Sequence, residues 1–210
     1  MWELVLGSSA TCSDGYHGDV QAVIIDPAAS VVTHVVVEPQ GRLGLARLVP
    51  FGLIDGASDG IRLRCTQAEF MGLDAAEETV AQFVPGYQAP IQLLPSGWLP
   101  AGELAAEGGT IPRIPEQETI DVVPAGEAEE RRGDRVHATD GDIGQLRALR
   151  VDPGSGRVTH VLARERHGLS HKDVAIPFSD VDGFGDGIRL NITRQQMHEL
   201  PPADIGNDAG

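Results

Sequence analysis

The chain repeats itself. Asp14-Gly15-Tyr16-His17-Gly18 aligns with Asp140-Gly141-Asp142-Ile143-Gly144, and at the same spacing Asp26-Pro27 aligns with Asp152-Pro153 and Val32-Thr33-His34-Val35 with Val158-Thr159-His160-Val161. One residue is then inserted, after which Pro50-Phe51, Asp55-Gly56 and Asp59-Gly60-Ile61-Arg62-Leu63 align with Pro177-Phe178, Asp182-Gly183 and Asp186-Gly187-Ile188-Arg189-Leu190. Identities in one order over this length require a duplicated segment. The 210 residues divide into two copies, 1–74 and 121–202, with 75–120 between them and 203–210 as a tail. Each copy is long enough to bury a core without disulfide or metal.

Within a copy the signals are those of strands and turns. Residues 20–25 and 31–37 are rich in β-branched side chains and flank Asp26-Pro27-Ala28-Ala29-Ser30, which predicts a hairpin. The second copy has Asp152-Pro153-Gly154-Ser155-Gly156 there, with two glycines free to take positive φ, so its turn should be the better formed. Shorter strands are expected at 10–13, 45–49 and 61–65, matched by 136–139, 173–176 and 188–192. Five or six short strands per copy indicate a mainly all-β chain of two small barrels, since closing a sheet removes its edges. Each copy should end in a short helix. Thr66-Gln67-Ala68-Glu69 and Thr193-Arg194-Gln195-Gln196 fit a capping box, with Phe70 and Leu73, or Met197 and Leu200, laid on the barrel.

The segment 75–120 changes character. Pro85, Pro90, Pro95, Pro100, Pro112 and Pro115 break any long element, so it reads as a linker. Phe83, Tyr87, Ile91, Leu93, Leu94, Trp98 and Leu99 make it too apolar for a solvated tether, and part of it is expected to pack on a barrel or pair as a strand. The tail 203–210 is small and polar and should fray.

Taken together, Asp-Gly-x-x-Gly, Asp-Pro, Val-Thr-His-Val, Pro-Phe and Gly-Ile-Arg-Leu resemble the PRC-barrel family, named from the cytoplasmic domain of the photosynthetic reaction-centre H subunit. The resemblance is more specific in the second copy, through Arg132-Gly133-Asp134-Arg135-Val136, the run from Asp152 to His160, and Ile176-Pro177-Phe178. It implies tandem compact β-barrels used as docking surfaces, as at the C-terminus of a ribosome maturation factor that grips a ribosomal protein. It implies no shared reaction. Two copies in one chain also suggest an intrachain pseudo-dimer, by analogy with homodimers of single-domain relatives.

Charge bounds the partners. Sixteen basic residues against 31 acidic leave −15, shared by both halves, which argues against direct binding of nucleic acid or an anionic bilayer. A basic protein is the natural partner, such as a ribosomal or RNA-associated one; acidity kept only for solubility is the alternative. Only Lys172 among the basic residues is lysine, a bias that suggests a bacterium with a GC-rich genome. No apolar run reaches the roughly 20 residues that span a bilayer, and Met1-Trp2-Glu3-Leu4-Val5-Leu6-Gly7 lacks a basic n-region, so a cytoplasmic location without membrane insertion is expected.

Candidate chemistry meets a structural reading at every position. His34 and His160 lie inside β-branched strands with no Cys, His or carboxylate at metal-ligand spacing, and hydrogen-bonded structural histidines are expected rather than ligands. His167-Gly168-Leu169-Ser170-His171 reads as an exposed loop, which with His198 offers at most a weak metal site. Asp14, Asp26, Asp55 and Asp59 and their partners Asp140, Asp152, Asp182 and Asp186 mostly sit beside Gly or Pro, where aspartate holds turns. The Asp55 to Gly60 stretch lacks the alternating ligands of a calcium loop, and Gly183 to Gly187 lacks the Gly-Lys-Ser/Thr of a phosphate loop. No Gly-x-Ser-x-Gly elbow occurs. Cys12 and Cys65 align with Ala138 and Ile192, so buried inert thiols are expected, with a redox pair as the alternative.

No catalytic, cofactor-binding or metal residue is therefore assigned. The expected function is a non-catalytic interaction module of paired barrels docking a basic protein. The alternative is a sensor binding a small ligand or metal in a groove between the barrels, with Tyr87 and Trp98 as walls.

Overall fold

The computed structural model describes residues 1–41, 45–57, 60–81, 117–167, 170–185 and 187–203. Met1–Glu77 and Asp121–Gly210 form one compact unit and Glu78–Ile120 another. The chain is mainly β. In the first copy β1 (Trp2–Val5), β2 (Ser9–Thr11), β3 (His17–Asp26), β4 (Val31–Pro39), β5 (Arg47–Pro50), β6 (Ile54–Ala57) and β7 (Ile61–Leu63) precede α1 (Gln67–Met71). A two-stranded ladder of β8 (Glu77–Ala81) and β9 (Gln117–Asp121) follows, so the two ends of the linker do pair as strands. The positions of Phe83, Tyr87, Ile91, Leu93, Leu94, Trp98 and Leu99 lie outside the described residues. In the second copy β10 (Ala128–Arg131), β11 (Arg135–Ala138), β12 (Gly141–Val151), β13 (Val158–His167), β14 (Ser170–Pro177), β15 (Val181–Gly183) and β16 (Ile188–Leu190) precede α2 (Arg194–Glu199).

Each copy curls a sheet of the same order into a half-barrel: β5-β4-β3-β2-β7-β6 and β14-β13-β12-β11-β16-β15. The seventh strand of each comes from the other copy. β1 pairs antiparallel with β12, Leu4 opposite Leu149, and β10 pairs antiparallel with β3, Glu130 opposite Val23. These two pairings are the same contact written twice, because in the repeat Leu4 corresponds to Glu130 and Val23 to Leu149. The long central strands make this possible. His17–Asp19 of β3 pair with β2, leaving Ala22–Ile25 to accept β10 on the same edge. The chain crosses between copies at a glycine: Leu6 N–H donates to the Arg147 carbonyl at 3.0 Å, and the next residue, Gly7, donates to Val20 at 2.7 Å.

The two hairpin turns meet as well. Val32 N–H donates to the Gly156 carbonyl and Val158 N–H to the Ser30 carbonyl, each at 2.9 Å. Both turns use a left-handed residue at this point, Ser30 at φ 61° and Gly156 at φ 70°. Gly156 thus relieves a strain that Ser30 bears, which for a residue with a Cβ is about 1 kcal/mol, while Gly154 does not take positive φ. A Cβ on Gly156 would stand 3.0 Å from the Phe51 ring and from the Val32 carbonyl, and Ser30 shows that the equivalent place accepts one. Gly156→Ala is expected to cost about 1 kcal/mol, measured as a fall in the urea midpoint at unchanged slope; a loss above about 3 kcal/mol would mean that the Phe51 contact, not φ, governs the position.

One core runs through both copies, from Leu4, Val23, Val35 and Phe70 to Leu146, Val161, Ile176 and Met197, all with at most 1% exposure. Beneath each helix the sequence logic holds. Thr66 and Thr193 close capping boxes with Glu69 and Gln196, and Phe70 and Met197 are the buried helix residues. The repeated Asp-Gly-x-x-Gly explains itself here: Asp14 and Asp140 accept the first helical N–H groups, of Gln67 and Arg194, at 2.8 Å. Its last glycine is a point of close approach, since a Cβ on Gly144 would stand 2.2 Å from the Arg164 carbonyl.

The loop expected over His167 to His171 is narrowed at both ends, because β13 runs to His167 and β14 starts at Ser170, with Arg166 opposite His171. The ladder is carried outward by cross-strand pairing, including two hydrogen bonds from Arg164 to Asp173 at 2.9 and 3.0 Å. Asp59, Asp186, Gly168 and Leu169 lie outside the described residues.

Candidate functional site

The repeated polar residues take up structural posts. His34 Nδ1 lies 3.1 Å from the Thr33 hydroxyl and 4.0 Å from Glu127 Oε2, and His160 Nδ1 lies 3.2 Å from the Thr159 hydroxyl. Burial, then the Arg150 charge, holds the His160 imidazole below its ordinary pKa. Both histidines sit near the meeting point of the hairpin turns and are partly exposed. His198 approaches the buried Glu165 at 3.1 Å. Among the described residues no three His, Cys, Asp or Glu side chains converge as metal ligands.

The aspartates hold turns. Asp26 Oδ1 accepts the N–H groups of Ala28 and Ala29 at 2.8 and 3.0 Å. Asp152 does the same for Gly154 and Ser155, and its hydrogen bond with Ser155 holds its carboxyl below the usual range. The Gln67 N–H does this for Asp14. Asp55 instead pairs with Arg64 at 3.0 Å. Arg62 and Arg189 are exposed, each guanidinium lying over a glycine of the neighbouring strand, Gly56 or Gly183.

What differs between the copies is concentrated around the exchanged strand β10. On the outer face of the first sheet, β10 borders a shallow cleft of about 140 Å³ lined by Gln21, Val36, Glu38, Ala46, Ala76, Glu77, Glu129 and Arg131. Val36, Ala46 and Ala76 of this lining belong to a small buried outer cluster with Ala22, Ile24 and Leu48. The rim of the cleft is acidic: Glu38 accepts a hydrogen bond from Gln21 at 3.2 Å, Glu129 holds Arg131 at 2.9 Å, and Glu77 stands at the start of β8. At the equivalent place in the second copy, Arg164 replaces Glu38 and is tied to Asp173. At this size the cleft is below the roughly 300 Å³ of small-ligand pockets.

The second asymmetry lies under β10. Glu130 is fully buried. One carboxylate oxygen accepts the Gly185 N–H at 3.0 Å, and the other is buried with no hydrogen-bond partner. Burial pushes its carboxyl up to about 7; the Gly185 N–H opposes this, while Asp134 and Glu129 add to it. The matching residue of the first copy, Leu4, fills the same position with an apolar side chain. Neither the cleft nor Glu130 was singled out from the sequence. The signal was present in the repeat alignment, where Leu4 faces Glu130, but it lies before the identities begin.

These features define the class: paired half-barrels with a short capped helix each, joined by exchange of their first strands. The family model of the PRC-barrel domain matches residues 128–197, from the start of β10 to the buried Met197 of α2. It is the second copy that matches this family, and the first copy is similar to the second through the internal repeat. No curated protein matches the chain.

Proposed function

We propose that the protein is a non-catalytic adaptor that docks a basic segment of a partner protein on the acidic cleft beside β10. The observation that supports this reading is a cleft rimmed by Glu38, Glu77 and Glu129 on a chain of net charge −15. Opposite charge steers such an encounter and sets its salt dependence. The acidity disfavours direct binding of nucleic acid or an anionic membrane, and a ribosomal or RNA-associated protein has the required charge. Among the described residues no helix is long and apolar enough to cross a membrane, in keeping with a cytoplasmic setting. The other reading is a sensor that binds a small ligand or metal in a groove between the barrels; its candidate walls Tyr87 and Trp98 lie outside the described residues.

Affinity capture from the host lysate tests the proposal. The wild type is expected to enrich a basic protein over a charge-matched control, and Glu38→Lys with Glu77→Lys should reduce that capture at least about tenfold, as loss of two steering contacts would. Equal capture by the reversed variant would rule out the cleft. Absence of any enrichment would rule out the adaptor.

A further inference from the structure

Both cysteines of the chain lie in the first copy, and the fold brings them together. Cys12 follows β2, Cys65 immediately precedes the α1 cap Thr66, and both side chains are buried in the same core, at 5% and 4% exposure. The backbone around them is fastened by three bonds. The Ser13 N–H and hydroxyl both donate to the Cys65 carbonyl, at 3.0 and 3.1 Å, and the Gln67 N–H donates to Asp14 at 2.8 Å. The second copy keeps this scaffold, with Thr139 N–H donating to the Ile192 carbonyl at 3.0 Å and Arg194 N–H to Asp140 at 2.8 Å. It carries Ala138 and Ile192 in place of the thiols. The scaffold therefore does not need cysteine, yet the first copy places its two cysteines at the single contact where they can join.

We propose that Cys12 and Cys65 form a redox-modification site, which a low-molecular-weight disulfide converts to an internal disulfide fastening the start of α1 to the end of β2. The exchange balances without a metal or cofactor. One thiol loses its proton and attacks a sulfur of the small disulfide, whose other half leaves as a thiolate and takes up a proton. The second cysteine thiolate then displaces the remaining half from the mixed disulfide. Two electrons pass from the cysteines to the oxidant, which departs as two thiols.

Burial and the neighbouring Cys65 push the Cys12 thiol up to about 12, so the closed form reacts slowly. The five-residue α1 begins two residues after Cys65 and is anchored by Phe70, whose ring lies 6.0 Å from that of Tyr16. Local opening of this short helix, which withdraws Phe70 from the core, is the route by which an oxidant reaches the thiols. A disulfide formed in that opening and trapped on closing holds the helix down, which makes the first copy, and not the second, responsive to oxidation.

The test uses the full-length folded protein, incubated with oxidised glutathione without denaturant and then alkylated with iodoacetamide in denaturant. The expected product is a chain two hydrogens lighter than the reduced one, unalkylated, giving one linked peptide pair that contains Cys12 and Cys65. In the oxidised chain the amides of Gln67–Met71 should exchange about tenfold more slowly, a readout that needs no variant to fold. Two alkylated cysteines, separate glutathione adducts, linkage between chains, linkage only in denaturant, or unchanged amide exchange would each overturn the proposal.

Discussion

Glu130→Gln is expected to make the protein about 3 kcal/mol more stable at pH 8 and to leave it nearly unchanged at pH 4.5. The carboxyl is buried beneath β10 with one oxygen on the Gly185 N–H and the other without a partner, and its folded pKa stands at about 7 against an ordinary value of 4.5. Between these two values the folded chain holds a proton that the unfolded chain has released. Stability from this group is therefore complete below about pH 4.5, declines as pH rises, and is lost above about pH 7. At about 1.4 kcal/mol per unit, the loss is about 3 kcal/mol. Glutamine keeps an acceptor for Gly185 and removes the charge, so the variant should show a flat profile over the same window. Urea denaturation of both proteins from pH 4.5 to 8.5 reads the difference directly. Parallel profiles would mean that the buried carboxylate is solvated in a way the fold does not show.

The converse experiment lies at Leu4. Leu4→Ala is expected to cost about 3 to 5 kcal/mol, the range for a fully buried leucine whose site cannot collapse. Collapse is resisted here because β1 is hydrogen-bonded to β12 of the second copy while its side chains belong to the shared core. Exchanged strands also predict how the loss appears. Scanning calorimetry should show one transition for both copies, shifted as a whole, since neither sheet is complete without a strand of the other. Two transitions, with only one displaced, would show that the copies are energetically independent despite their pairing.

The exchange was hidden from the sequence for a physical reason. Trp2-Glu3-Leu4-Val5 has the alternation of a half-buried strand, but Ala128-Glu129-Glu130-Arg131 has none of the usual strand preference. It is extended because the free edge of Ala22–Ile25 of β3 is there to pair with it, and edge pairing is a property of the assembled sheet. The cleft was hidden in the same way, since Glu38, Glu77 and Glu129 come from three strands far apart in the chain. That strand extends to His167 and resumes at Ser170 was missed because the polar composition of this stretch suggests a loop, whereas cross-strand pairs carry the ladder to these residues.

What the residues determined on their own is local. Turn aspartates, capping threonines, close-approach glycines and β-branched runs each act over a few residues or a neighbouring strand, so a duplicated order of them implies a duplicated half-barrel. Tertiary structure alone decided which sheet receives β1 and β10, that Cys12 and Cys65 are buried in one core, and that Glu130 is buried where Leu4 sits in the other copy. Those outcomes depend on which edges and cavities remain open once the local elements have formed, and burial turns an ordinary glutamate or thiol into a group with altered chemistry only at that stage.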